Sequence, residues 1–482
     1  MNQPTRRVAV IGGGITGLAA AHRLHELDPH LAVTLFEAAS ELGGILQTER
    51  REGCLIERAA DMFITRDPWA MDLCRRIGFD RDLINTNEKH RKAYIVHRGK
   101  LVDVPEGFTL MSPAKIGPIL KTPLLSWRGK LRLASEYFVR RRTEEADESL
   151  HDFSIRRFGR EAYERLIQPL IGGIYTADPT KLSMAATMKQ FVELERQHGS
   201  LIRGMRAAGA GAGKRPVGDA AASGARYGLF VAPRDGMSSL IAAIAQRLPT
   251  GAVRTNAPVQ AVQPSADQQW MVTYGAEEER ANTELFDAVV VATPGPRAAK
   301  LLRPWNAPLG DEIGGIPMAG AAIVIGVYRK SDVAHPLDGF GFVVPLVEKR
   351  RILSSSFGSI KFPGRTPDDW VLTRTFFGGA LQPEFLRWTD SQLCEAAHDE
   401  LSQLIGARAK PLFGGVVRWD DKMPQYHVGH LDRVDRIERL VEQTPGLALA
   451  GNAYRGVGIP FCVRSGEAAA LRIVEQMRAR SV

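Results

Sequence analysis

Val8-Ala9-Val10-Ile11-Gly12-Gly13-Gly14-Ile15-Thr16-Gly17 stands near the start of a 482-residue chain. Four consecutive apolar residues fit a strand buried on both faces. The spacing Gly12-x-Gly14-x-x-Gly17 follows. Leu18, Ala19, Ala20, Ala21 and Leu24 then predict a helix whose small residues can sit close to a sheet. Leu31 to Phe36 alternates as a second strand and ends at Glu37, which completes a strand–helix–strand unit. In such a unit Gly12 allows the tight turn. Gly14 lets backbone approach a pyrophosphate at a helix N-terminus, and Gly17 lets helix and strand pack closely. Glu37 lies 20 residues beyond Gly17, where a carboxylate accepts from a ribose hydroxyl. The glycine pattern alone would fit a plain turn. With strand, helix and acid around it, it reads as a dinucleotide site.

Composition sets the bounds outside that unit. Hydrophobic residues make up 44% and charged residues 24%, which excludes a mostly disordered chain. The length calls for two or three domains. No run of 18 apolar residues occurs, so no spanning helix is expected. Arg6-Arg7 leads straight into the first strand without the grammar of a secretory signal. Cys54, Cys74, Cys394 and Cys462 show no metal-like spacing. The reading is a reducing, cytoplasmic compartment with free thiols, and the protein could sit peripherally on the inner face of the cell membrane.

The net charge of +9 is unevenly placed. Lys115, Lys121, Arg128, Lys130, Arg132, Arg140, Arg141 and Arg142 crowd residues 113–142 against Glu136. An anionic membrane surface is the favoured partner for this stretch, with a solvated basic helix as the alternative. Nucleic acid is disfavoured, because the aromatic residues of the stretch are not interleaved with its cations as a stacking platform needs.

Further along, Phe286 to Ala292 and Ala321 to Val327 read as buried strands, and residues 110–200 as a helical insertion. Residues 207–226, rich in Ala and Gly, read as a mobile loop. The C-terminal segment repeats the opening logic. Leu447 to Ala450 is a strand, Gly451, Gly456 and Gly458 form a turn, and a helix is expected from about Ser465. The nucleotide-binding core is therefore split between the two ends of the chain.

Glu41-Leu42-Gly43-Gly44-Ile45-Leu46-Gln47-Thr48 follows Glu37 directly. With this paired glycine the chain resembles FAD-dependent oxidoreductases of the amine oxidase and porphyrinogen oxidase superfamily. Gly451-Asn452-Ala453-Tyr454-Arg455-Gly456-Val457-Gly458-Ile459-Pro460 is similar to the oxygen-dependent protoporphyrinogen/coproporphyrinogen oxidase family in particular. So are Leu166 to Asp178 with Leu182-Ser183, Arg418-Trp419, and Met423 to His430. Ile56 to Phe63 sits where bacterial members carry Gly-Pro before Asp or Asn, and here Ala59-Ala60 replaces Gly-Pro. Phe461 stands where members often have Asp.

The resemblance implies an α/β fold: a split Rossmann-type FAD-binding domain, a mixed β-sheet substrate domain and a helical insertion. It implies FAD segments at 1–88, 228–300 and 440–482, substrate segments at 89–107 and 301–439, a helical part at 108–205 and a flexible loop at 206–227. Non-covalent FAD would be held by Gly12, Gly13, Gly14, Ile15, Thr16, Gly17, Glu37, Ala38, Gly43 and Gly44. Ala59, Ala60, Asp61, Met62, Val259, Trp419, Val457, Gly458 and Ile459 would complete that site. The helix after Gly458 would aim its positive end at the flavin ring. Gly172, Gly173 and Ile174 would border the substrate. Lys89-His90-Arg91-Lys92 offers cations for substrate carboxylates, none of them assigned.

The activity implied is six-electron oxidation of protoporphyrinogen IX to protoporphyrin IX, with O2 reduced to H2O2, in heme biosynthesis. Coproporphyrinogen III is the near alternative and an amine substrate the distant one. The flavin carries the redox step, so no catalytic side chain is assigned. Tyr426 and Trp419 are read as walls of the flavin pocket. No metal is expected from His427 and His430, which lack a third ligand. A homodimer is the base-rate expectation.

Overall fold

A computed structural model describes residues 6–113, 115–144, 146–211, 228–275 and 281–480. The opening strand, Arg7–Ile11, is central to a five-stranded parallel sheet. Its neighbours are Ala32–Phe36, with Val253–Arg254 beyond it, and Ala288–Val291, with Leu447–Leu449 beyond that. Val8, Val10, Val289 and Val290 are fully buried, as expected of a sheet covered on both faces.

The first helix, Ile15–Leu27, packs on this sheet through Leu18, Ala19, Ala20 and Ala21. A Cβ on Gly17 would fall 1.9 Å from the Gly12 carbonyl oxygen, so only glycine fits there. Across its outer side runs the last helix, Ile459–Ala479. That helix begins six residues before the expected Ser465. Pro460 sits in its first turn, where a missing N–H costs nothing and the fixed φ suits a helix.

A seven-stranded sheet forms the second layer. Its order is Phe413–Pro424, Met318–Arg329, Trp370–Gly378, Ser354–Phe357, Gly341–Val343, Tyr94–His97 and Lys100–Asp103. All its pairs are antiparallel except Gly341–Val343 with Tyr94–His97. The strand expected at Ala321 to Val327 is the middle of Met318–Arg329.

The third body is helical and packs around Phe153, Phe158, Leu166, Ile167 and Ile171. Tyr163–Ile167 is a π-helical turn ahead of the helix Gln168–Tyr175. A further helix, Leu201–Gly211, runs into the stretch expected to be a loop. The rest of that stretch, and its expected mobility, lies outside the described residues. No helix among the described residues is long and apolar enough to cross a membrane.

Candidate functional site

The glycine turn forms an open cradle at the C-terminal edge of the parallel sheet. Gly12 has φ +108°, and its N–H donates to the Phe36 carbonyl at 2.8 Å. Around it the space is closed: a Cβ there would lie 2.7 Å from the Ala292 carbonyl oxygen. Gly14 is the opposite case, since a Cβ on it would meet nothing within 4 Å. Gly14 is also the N-cap of the first helix and provides no side-chain cap. Amide groups and the positive end of the helix therefore face open space, a fit for pyrophosphate oxygens. Ile15 and Thr16 continue that first turn and are buried.

Gly43 closes the far wall. Its N–H donates to the Gly13 carbonyl at 2.8 Å and it forms a bridge with Gly14. A Cβ on Gly44 would come 3.6 Å from Gly14 Cα. Glu37 accepts from Gly13 N–H at 2.7 Å and from Ala39 N–H at 2.8 Å. It thus fixes the turn while keeping lone pairs for a ribose hydroxyl. Ala38 links Glu37 to Ala39. Val259 begins the strand Val259–Pro264, and its carbonyl already accepts from Arg297 Nη2 at 2.5 Å. Sequence reasoning missed Thr293, read only as a strand-ending turn. Its methyl lies 3.5 Å from where a Gly12 Cβ would be, and its buried hydroxyl has no hydrogen-bond partner. An orphaned hydroxyl beside the cradle is a further group available to a bound dinucleotide.

The segment Arg58–Met62 continues from the strand Cys54–Glu57. Two side chains from the large sheet pin its backbone. Trp419 Nε1 donates to the Arg58 carbonyl at 2.8 Å, and Arg374 donates to the Ala59 carbonyl. Ala60 packs against the core that holds Ile459 and Val463 of the last helix. Asp61 accepts from Lys361 Nζ at 2.8 Å and lies 3.1 Å from Arg374 Nη1. Burial by itself would raise this carboxyl; the Lys361 and Arg374 charges override it and hold it at about 2. Met62, half-buried, follows.

Gly458 is the N-cap of the last helix and, like Gly14, offers no side-chain cap. The turn before it is held from below. Tyr426 donates to the Asn452 carbonyl at 2.5 Å and accepts from Gly456 N–H at 2.8 Å. His430 stacks on Tyr426 at 3.9 Å between ring centroids, and its Nε2 donates to the Tyr454 carbonyl at 2.7 Å. His430 is thus occupied in packing, and burial lowers its pKa and that of His427. Among the described residues, no three His, Cys, Asp or Glu side chains gather as a metal site.

Gly172 and Gly173 lie inside the helix Gln168–Tyr175, as does Ile174. Gly173 is exposed, and a Cβ there would meet only Val343, at 3.7 Å. Val343, Tyr175 and Val457 are partly buried against the same helical core. The glycine helix, the strand Gly341–Val343 and the turn before the last helix therefore border one another on this core. Of the nearby cations, Lys92 is bound to Asp338 at 2.6 Å, and Arg91 bonds Thr86 and Glu88.

Comparison with known proteins agrees with this geometry. Residues 15–474 match the family model of flavin-containing amine oxidoreductases. A Staphylococcus aureus coproporphyrinogen III oxidase is 32% identical over 98% of this chain and 100% of its own. A mitochondrial protoporphyrinogen oxidase of Nicotiana tabacum is 27% identical over 99% and 96%. The crystal structure of an Exiguobacterium sp. 255-15 protein, assigned as a protoporphyrinogen oxidase, superimposes with a TM-score of 0.85 at 30% identity, over 99% of this chain and 100% of that one. The chain belongs to the flavin-containing amine oxidoreductase family, in its porphyrinogen oxidase branch, and its cofactor is FAD.

Proposed function

We propose that this chain is an oxygen-dependent porphyrinogen oxidase of heme biosynthesis, with coproporphyrinogen III favoured over protoporphyrinogen IX. The observation that carries the reading is the exposed glycine face of the helix Gln168–Tyr175, beside the strand Gly341–Val343 and the turn before the last helix. Gly173 is exposed there, and Val343, Tyr175 and Val457 are partly buried apolar residues packed on the same helical core. A helix face without side chains, flanked by apolar residues, suits a planar, greasy macrocycle better than a small amine. The substrate preference leans on the relatives: bacterial coproporphyrinogen III oxidases stand at 32% and 31% identity, protoporphyrinogen oxidases at 27% to 30%.

Bound FAD supplies two-electron redox chemistry. Conversion of a porphyrinogen to a porphyrin removes six electrons and six protons, balanced by reduction of three O2 to three H2O2. The chain's part is positional. Gly12 to Gly17, Gly43 and Gly44 would hold the pyrophosphate, and Glu37 a ribose. Ala59 to Met62, Trp419 and Val457 to Ile459 would border the ring system, with the uncapped helix end favouring negative charge there. Tyr426 keeps the late turn in register. Gly172 and Gly173 would let the macrocycle lie against backbone.

The test is porphyrin fluorescence in air with coproporphyrinogen III and protoporphyrinogen IX in parallel, corrected for autoxidation. A rate with the first well above the second supports the reading in full. The reverse ratio transfers the assignment to protoporphyrinogen IX. No rate above background with either, from flavin-loaded protein, removes the porphyrinogen reading in favour of an amine substrate.

We also propose that the helical body docks on an anionic membrane surface. Phe138, Trp127 and Leu131 are 79%, 70% and 69% exposed, a large apolar display for one short stretch. Lys121, Arg128 and Arg140 are exposed around it. Apolar side chains within a basic rim fit an anionic lipid interface.

A further inference from the structure

Where the nucleotide-binding layer meets the large sheet, the chain buries more positive than negative charge. Lys361 ends the short helix Gly358–Lys361, Arg374 lies mid-strand in Trp370–Gly378, and Asp61 follows the strand Cys54–Glu57. Their side chains are 7%, 3% and 13% exposed. Two cations therefore share one carboxylate. The next pair outward, Arg365 and Glu57, is 3.9 Å apart and cancels itself.

Lone buried charge is costly in a low-dielectric setting unless an opposite charge arrives. One cation here has a second sign of incompleteness. Arg374 Nε is buried and has no hydrogen-bond partner, although its other nitrogens reach the Ala59 carbonyl and Asp61. Protein interiors rarely leave such a donor unmet. The cluster grips the backbone of Arg58–Met62, whose Ala60 packs with the start of the last helix.

We propose that Asp61, Lys361 and Arg374 form an electrostatic set-point for the flavin: their net positive charge favours the reduced, negatively charged ring. This rests on the reading that Ala59 to Met62 border that ring. The three are positioning residues, acting through charge and through the Ala59 carbonyl rather than on substrate. Lys361 supplies the surplus charge, Asp61 limits it, and Arg374 couples it to the backbone.

Opposite charges must then act in opposite directions. In the FAD-loaded enzyme, Lys361→Met should lower the flavin midpoint potential and weaken sulfite addition, which reports positive charge at the ring. The expected change in sulfite affinity is about tenfold, and the same factor in a two-electron equilibrium is about 30 mV. Asp61→Asn should raise both. A merely structural role would move both variants the same way or leave both at wild type with FAD retained, and either result overturns the proposal. So does a raised KM for the porphyrinogen in Lys361→Met at unchanged potential, which would place the cation against substrate carboxylates. Should Lys361→Met lose FAD, Lys361→Arg must hold the wild-type potential while Asp61→Asn still raises it; failure of either overturns the proposal. Potentials that split as expected in an enzyme inert to both porphyrinogens would leave this inference standing and remove the substrate reading alone.

Discussion

Gly14 is the residue at which folding and cofactor binding separate most cleanly. A Cβ there would meet no protein atom within 4 Å, so Gly14→Val should fold with nearly the Tm of the FAD-free wild type. The valine side chain would occupy the volume meant for pyrophosphate, and the purified protein should be colourless. A yellow Gly14→Val with stoichiometric flavin would contradict the N-terminal cradle. His430 allows a prediction about pH. Burial lowers its imidazole from the usual 6.5, so the folded state keeps the ring neutral where the unfolded chain binds a proton. The stability it contributes is full above pH 6.5 and is lost as pH falls through the folded value. Tm should drop more between pH 7.5 and 5.5 in the wild type than in His430→Gln; equal drops would show that the ring is not held neutral. The cradle was legible because glycine spacing, strand and helix lie within thirty residues, where local chemistry dictates geometry. Asp61 and Lys361 stand 300 positions apart, and no spacing rule connects two residues joined only by the fold.

Elements carry the surface that the charge count could only suggest. The basic stretch 113–142 divides in the folded chain. Arg132 donates to the carbonyls of Ile155, Arg156 and Arg157, Arg142 pairs with Glu144, and Lys115 pairs with Glu106. Those three cations are structural in whole or part, which the sequence does not distinguish from free ones. The apolar tip is held out by a buried anchor: Glu136, fully buried, accepts from Arg157, Ser200 and the Leu201 N–H. Trp127 and Leu131 are one turn apart on the helix Trp127–Ala134, on the side opposite the buried Leu133 and Gly129. Transfer of one large apolar side chain from water is worth about 2 kcal/mol. Trp127→Ser combined with Phe138→Ser should therefore lower partition onto phosphatidylglycerol vesicles by tenfold or more. Arg128→Glu should weaken it in a salt-dependent way, whereas Arg142→Ala should affect Tm and leave partition unchanged. Equal binding of all variants to anionic and zwitterionic vesicles would eliminate the docking surface. The late helix shows the converse limit of reading elements: it was expected from about Ser465, and it begins at Ile459 with Pro460 in its first turn.

At the scale of the molecule, the two ends of the chain must close on each other before the site exists. Arg7–Ile11, Ala288–Val291 and Leu447–Leu449 lie side by side in one sheet, and the first and last helices bring Gly14 and Gly458, both uncapped N-termini, to one edge. That the two ends form one split core was readable; the strand order that joins them was not, because strand order in a parallel sheet is set by long-range packing. The contact that enforces it is narrow. A Cβ on Gly466 would fall 2.2 Å from the Thr16 carbonyl oxygen and 3.1 Å from the Ala20 nitrogen. Both atoms belong to helix backbone and cannot swing aside. Gly466→Leu must therefore push the two helices apart, at an overpacking cost of about 1–3 kcal/mol. The same displacement would separate the helix end at Gly14 from that at Gly458, so FAD affinity should fall together with Tm. Ligand linkage gives the check. FAD at a hundred times its dissociation constant stabilises a folded protein by about 2.7 kcal/mol, so excess FAD should restore much of the lost Tm in Gly466→Leu. It should restore none in Gly14→Val, where the cradle itself is filled. A Gly466→Leu protein of reduced Tm but wild-type FAD affinity would mean that the helix crossing supports the fold without setting the geometry of the site.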